Sequence, residues 1–278
     1  MTAHPAPGRL LDIGGRRLHA YATGEGSPVV VLESGLAATS LSWRLVQNEI
    51  AKFTRVISYD RAGLGWSDAS PGRPTIPRLV EDLRAMLLAA QEPPPYILVG
   101  HSFGGLIVRA YADRYGSDVR GLVLVDPLRP EEWNPVSDAQ RRTLARGARL
   151  SRRGATLARI GVVGWCLRSL LAGSRWLPKA VGAAASGHGS AVMGRLAGEV
   201  AKMPRELWPL VAAHWSNPKS FLAMAEQLEA LPECCSEMCD APALDGIPIT
   251  ILTAKDAGSG HWIHLDKPQL VVDAVRAR

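Results

Sequence analysis

The chain has 278 residues, a formal net charge of +6, 47% hydrophobic and 21% charged residues; this is the make-up of an enzyme-sized globule with one large core, a single domain with an insertion rather than two independent units. The positive charge is local: residues 129–179 hold eleven Arg or Lys against Glu131, Glu132 and Asp138, so this stretch nets +8 and the remainder nets −2. One basic segment with few aromatics is no nucleic-acid signature, and it predicts solvated helix faces or a surface that meets anionic lipid.

The opening MTAHPAPGRLLDI lacks a basic start followed by an apolar run of signal-peptide length. No stretch of about 18 uncharged apolar residues follows; the nearest, Ile160 to Gly173, is interrupted by Arg168. A cytoplasmic location is the expectation. RLHAYATG (17–24) alternates and predicts an antiparallel edge strand. PVVVLESG (28–35), TRVISYDRAG (54–63), YILVGHS (96–102) and VRGLVLVDP (119–127) are β-branched, nearly continuous apolar runs, the pattern of strands buried on both faces. Between them WRLVQNEIAKF (43–53), PRLVEDLRAMLLAA (77–90) and FGGLIVRAYADRYG (103–116) space apolar residues as helices do. Strand alternating with helix predicts a mostly parallel, twisted α/β sheet with crossover helices on both faces.

From Glu131 to about Cys239 the pattern turns to Arg-, Ala- and Leu-rich helical stretches with breaks at Gly154, Gly161, Gly164, Pro178 and Pro204, which predicts a helical insertion. Its cysteines, Cys166, Cys234, Cys235 and Cys239, are too few and too bunched for a disulfide framework. CCSEMC lacks a fourth metal ligand, so incidental thiols in a loop are expected, with no metal and no cofactor. GIPITILTA (246–254) resumes the strand pattern and LDKPQLVVDAVRAR (265–278) closes with an amphipathic helix. The expected division is core 1–128, helical lid 129–243 and core 244–278.

The most informative stretch is ILVGHSFGGLIV, a G-x-S-x-G elbow after a buried strand and before a helix. Gly100 and Gly104 allow the crowding, and Ser102 is held at a helix N-terminus, where a developing oxyanion meets the positive end of the dipole. With VVLESG, SYDRAGLGWSD and SGHWIHLDKPQLVVDAVR, this sequence resembles the α/β-hydrolase superfamily over nearly its whole length. The resemblance implies Ser102 as nucleophile, His261 as base, and the backbone N–H groups of Leu36 and Phe103 as oxyanion donors. Ser34-Gly35 stands where many relatives read His-Gly, and a serine nucleophile argues against the branches that attack with aspartate. The resemblance gives YDRAGLGWSD no chemistry. His101, His214 and His264 are expected to be structural or solvated.

Relatives usually place a helix and another strand between the strand ending here in TAKD and the histidine loop. Here only four residues separate Asp256 from His261. The last strand and one covering helix are therefore expected to be missing, leaving a new sheet edge with exposed apolar surface that either is covered by a partner chain such as a second copy or simply weakens the protein. The shortening also leaves the triad acid open: Asp126, at the tip of LVLVDP, is preferred, and Asp256 is the alternative. Two functions follow: a serine hydrolase acting on a small to medium hydrophobic acyl substrate, ester by default with amide, lactone and thioester as competitors, or a hydrolase-fold protein without turnover, a small-molecule binder or a degraded copy. For the lid, RRTLARGARLSRRGATLARIGVVGWCLRSLL (141–171) predicts a helix with an apolar side toward the sheet and a basic side toward solvent, able to rest on an anionic membrane.

Overall fold

The computed structural model describes residues 6–171 and 202–278; the expected helix break at Pro178 and the basic residues Arg175 and Lys179 lie outside them. The strands are β1 (Arg9–Asp12), β2 (Arg17–Thr23), β3 (Val29–Glu33), β4 (Val56–Tyr59), β5 (Tyr96–His101), β6 (Val119–Val125) and β7 (Ile249–Leu252). The helices are α1 (Arg44–Ile50), α2 (Ile76–Ala90), α3 (Phe103–Arg114), α4 (Asp138–Arg159), α5 (Val162–Leu171), α6 (Trp208–Trp215), α7 (Pro218–Cys239), α8 (Ala254–Ala257), α9 (Ile263–Asp266) and α10 (Pro268–Arg276).

The seven strands form one sheet in the order β1-β2-β4-β3-β5-β6-β7. From β4 to β7 all pairs are parallel, while β1 and β2 are antiparallel additions at one edge. This is the α/β architecture that the strand–helix alternation predicted. VVVLE of β3 and YILVGH of β5 are buried throughout, because helices cover both faces of the central sheet and most side chains of such a strand meet apolar neighbours. One face packs Leu98, Leu122 and Leu124 against Leu83 and Met86 of α2 and Leu106 and Ile107 of α3. The other packs Val30, Val99 and Val123 against Val46 and Ile50 of α1 and Val271, Val272 and Val275 of α10. β1, four residues of mixed character, was not anticipated, since RLLD shows no strand period of its own.

The loss at the far edge is also as expected. Beyond β7 the chain has only the one-turn helix α8, stopped by Gly258 in the left-handed region, before α9 and α10. Among the described residues β7 pairs with β6 alone, and Ile251 on it is 58% exposed. β6 and β5, the next two strands inward, remain buried except at Arg120.

Between β6 and β7 the described chain is helical. α4 starts with a capping box, Ser137 and Gln140 each bonding the other's backbone N–H. It runs along α7, and the close approach depends on small residues. A Cβ on Gly154 would lie 2.6 Å from the Phe221 ring and one on Gly147 3.1 Å from Leu228. One expectation needs correction here and one needs refinement. The cysteines of CCSEMC lie in the last turns of α7, not in a loop. There Cys234 and Cys235 are buried against the sheet-face core, because the apolar face of α7 continues to its C-terminus, and burial pushes both thiols up to about 12. The packed side of α4 is apolar and its arginines face solvent, but that side is made of Leu144 and the small residues Ala148, Ser151, Ala155 and Ala158, while Leu150 and Leu157 stand outward among the arginines.

Candidate active site

β5 ends in the turn that carries Ser102, whose backbone sits at φ 51°, ψ −118°. A serine held there is strained, and the surroundings enforce it. A Cβ on Gly100 would come within 2.6 Å of Val108 and 2.7 Å of the Gly104 carbonyl; one on Gly104 would come within 2.6 Å of the carbonyls of Glu33 and Ser34. The chain therefore turns straight from strand into α3. The Ser102 N–H bonds to the Val125 carbonyl at 3.1 Å, and the Ser102 carbonyl accepts from Gly105 and Leu128, which ties the elbow to the end of β6.

Asp126 is the next residue after β6 and also has positive φ, 42°. Its N–H bonds to the Leu252 carbonyl at 2.7 Å and its Oδ1 accepts from the Ala254 N–H at 2.8 Å. With one oxygen fixed, the other faces His261: Oδ2 lies 2.5 Å from Nδ1. Asp256 is engaged elsewhere. Its Oδ2 accepts from the Thr253 hydroxyl at 2.7 Å, while its N–H donates back to Thr253, an N-cap exchange within α8. Of the two aspartates, Asp126 is the one against the imidazole. Among the described residues no hydrogen bond joins the Ser102 hydroxyl to His261; such bonds commonly tighten only once substrate is bound.

His261 is steered from behind by His101. The buried His101 ring donates from Nε2 to the His261 carbonyl at 3.0 Å and lies against the rings of His261, Trp262 and His264 at 4.5–5.0 Å. His264 in turn stacks on Trp43 at 4.3 Å. Burial drives both imidazoles to the neutral form, with His101 well below the usual histidine range and His264 down to about 3.

The turn after β3 supplies the facing wall. Arg61, 3% exposed, places its guanidinium between Glu33 Oε1 and the carbonyls of Ser34 and Gly35, with all three oxygens at 2.5 Å. A trans peptide plane points its C=O and N–H in opposite directions, so anchoring the Gly35 carbonyl on Arg61 aims the Leu36 N–H away from Arg61. The next N–H, of Ala37, is taken by Gln227 Oε1 of α7 at 2.9 Å. Neither Leu36 N–H nor Phe103 N–H, at the first position of α3, has a partner among the described residues. Glu33 is fully buried, and burial raises its pKa against the opposing pull of Arg61 and Tyr59.

Arg61 and Gln227 were missed from the sequence. One signal was available: an ionic pair, Asp60-Arg61, immediately after the apolar strand VISY, where charge has to be partnered. Asp60 is committed as well, taking His19 Nδ1 at 2.9 Å and the Ser40 N–H at 2.8 Å.

Beside this constellation, reaching it through Leu36 and Trp262, lies a small solvent-open cleft bounded also by Leu64, Met203, Val211 and Trp215. Its walls are mainly apolar and come from both the oxyanion turn and the helical insertion. No group of three or more His, Cys, Asp or Glu side chains is placed to hold a metal among the described residues.

The fold and the elbow together define an α/β-hydrolase fold. Residues 28–162 match the family model for the alpha/beta hydrolase fold. The chain is 35% identical over 104 residues to the uncharacterised protein YqjL of Bacillus subtilis, covering 37% of this chain and 41% of that one. It is 37% identical over 123 residues to the 2-hydroxymuconate semialdehyde hydrolase of a Pseudomonas strain, 44% of each chain. The chain thus spans less than half the length of the curated relatives it matches. A solved putative acyltransferase from Salmonella enterica superimposes with a TM-score of 0.67 over 99% of this chain and 96% of its own, at 16% identity, a likeness of fold alone.

Proposed function

We propose that this protein is a serine hydrolase that cleaves a carboxylic ester, or a related acyl bond, of a small to medium hydrophobic substrate through an acyl-enzyme on Ser102. The observation that carries the reading is the His261–Asp126 contact at 2.5 Å, with the second Asp126 oxygen already committed to a backbone N–H. In this scheme His261 Nε2 takes the Ser102 proton as Oγ attacks the carbonyl carbon. The oxyanion is received by the N–H groups of Leu36 and Phe103, and the alcohol leaves with the proton from His261. Water, deprotonated by the same imidazole, then attacks the acyl-enzyme and releases the acid. The apolar cleft favours hydrocarbon on the acyl or alcohol side, and the hydrolases among the similar proteins agree with bond cleavage by water as the class of reaction.

A second reading, a hydrolase-fold binder without turnover, draws on the missing Ser102–His261 hydrogen bond and the half-exposed His261 ring. A fluorophosphonate probe separates the two. Stoichiometric labelling lost in Ser102→Ala, together with turnover of p-nitrophenyl esters, supports the hydrolase, and no labelling of folded protein refutes it. The chain length preferred across the ester panel then measures the cleft.

A further inference from the structure

The helical insertion carries a second surface that the chemistry at Ser102 does not use. Along α4 the side opposite the packed stripe presents Arg142, Arg146, Arg149, Leu150, Arg153, Leu157 and Ile160 in sequence steps of one, three and four, a single stripe on one helix face. Ile160 closes α4, and Gly161, in the left-handed region, turns the chain into α5, which adds Val162, Trp165 and Arg168 to the same corner. Leu150, Leu157, Ile160, Val162 and Trp165 all stand open, Ile160 at 68% and Trp165 at 58% exposure.

This exposure is set by the sequence and not by a packing failure. α4 meets α7 through Leu144 and otherwise through glycine, alanine and serine, so its packed face is complete without Leu150, Leu157 and Ile160. The arginines are equally uncommitted. Arg152, at the flank, pairs with Glu229 at 2.7 Å, whereas Arg142, Arg146, Arg149, Arg153 and Arg168 have no carboxylate partner among the described residues. A solvated basic helix has no use for an isoleucine and a tryptophan at its tip, and a protein partner of ordinary composition has no need of so many unpaired like charges. Polyanionic nucleic acid would satisfy the arginines but offers nothing to Ile160, Val162 and Trp165. An anionic bilayer satisfies both sets: headgroup charge for the guanidinium groups, and the headgroup–acyl boundary for the aliphatic tip and an indole, which favours that depth.

We infer that the α4–α5 corner is a docking surface for an anionic lipid membrane, with the Ile160–Trp165 tip inserted and the arginines of α4 on the headgroups. This surface lies on the same helical insertion whose α6 and α7 wall the cleft. It stands independently of what Ser102 does. The inference also changes the sense of the lid helix: it meets lipid with mixed apolar and basic residues, not with a purely basic side.

The test is co-sedimentation of the full chain with phosphatidylcholine vesicles and with vesicles that also contain phosphatidylserine, at low and high salt. The wild type is expected to partition onto the anionic vesicles alone. Each basic side chain at such a surface contributes about fivefold, so Arg146→Gln/Arg149→Gln/Arg153→Gln is expected to bind on the order of a hundredfold more weakly. Ile160→Ser/Trp165→Ser is expected to lose the portion of binding that survives high salt. All five side chains are exposed, so circular dichroism and urea midpoints should match the wild type and confirm that the variants are folded. Equal partition onto both vesicle types overturns the inference. So does wild-type binding by either variant, or a tighter complex with duplex nucleic acid that is indifferent to Ile160→Ser/Trp165→Ser.

Discussion

Asp126→Asn is the most informative single change, and its cost can be worked from the contacts. The Ala254 N–H, 2.8 Å from Oδ1, needs an acceptor, so the amide of the variant keeps its oxygen there and turns its NH2 toward His261 Nδ1. Two donors cannot face each other at 2.5 Å. The imidazole must therefore carry its proton on Nε2, the nitrogen that has to be empty to accept one from Ser102. The lost charge is the smaller part. An imidazolium and a carboxylate about 4 Å apart attract by about 4 kcal/mol at an effective dielectric near 20, and the pair's side chains, 49% and 26% exposed, reduce this to about 2 kcal/mol, or roughly thirtyfold in rate. Adding the wrong tautomer brings the expected loss in kcat to about 10³–10⁴. Asp256→Asn touches only the cap of α8 and should stay within about threefold of the wild type, the scale of a cap interaction. The assay is p-nitrophenyl ester turnover under saturating substrate. Losses of similar size in the two variants, or a larger one in Asp256→Asn, would refute the assignment of Asp126.

Arg61→Leu leaves Glu33 buried without its counter-charge, so unfolding free energy from urea titration should fall by about 3–5 kcal/mol; a fall under about 1 kcal/mol would mean that the network is not what holds this loop. Gln227→Leu removes the acceptor of the Ala37 N–H and loosens the turn that aims Leu36. We expect kcat to drop about tenfold, the worth of one buried hydrogen bond, with KM little changed, and the reverse split would place Gln227 in substrate binding instead. His264 and His214 are held neutral mainly by burial, to about 3 and about 4, whereas the unfolded chain protonates both near about 6.5. Below that value the unfolded state binds more protons, so each histidine lowers stability by up to about 1.4 kcal/mol per pH unit until its folded value is reached, and neither contributes above about pH 7.5. Urea midpoints from pH 8 to 5 should trace this, with a shallower slope in His264→Leu, and an unchanged slope would exclude His264 as a source.

Much of the fold was legible because two-sided burial writes itself into composition. Where β3, β5 and β6 are roofed on both faces, nearly every position is apolar, and PVVVLESG, YILVGHS and VRGLVLVDP read as strands without tertiary knowledge. The elbow was legible for a steric reason: only glycine fits at 100 and 104, so the pattern survives in one dimension. Arg61 and Gln227 were not legible, since they lie 166 positions apart and meet only because α7 crosses over the β3 turn at Gln227. The outward placement of Leu150 and Leu157 on α4 was not legible for a different reason. Periodicity locates a stripe but not which side of the helix is packed, and here the small residues took the packed side because Phe221 and Leu228 of α7 leave no room for larger ones.

The position of the proposed acid follows from the path of the chain at this edge. Consecutive parallel strands lie about 4.8 Å apart, so a carboxylate at the end of β6 is one strand from the Ser102 elbow, while one reached through β7 is a strand further away. In addition, α8 carries Asp256 a helical turn past the sheet and occupies its carboxylate with Thr253. With four residues left between Asp256 and His261, the histidine loop has to fold straight back over the ends of β5 and β6, where the His101 ring receives its carbonyl. That path brings the imidazole to β6, and the Ala254 N–H, at the very start of the shortened segment, fixes the Asp126 oxygen that meets it from the other side. The short segment thus places the Ala254 N–H where it orients Asp126, and among the two aspartates the carboxylate at 126 is the one that meets His261.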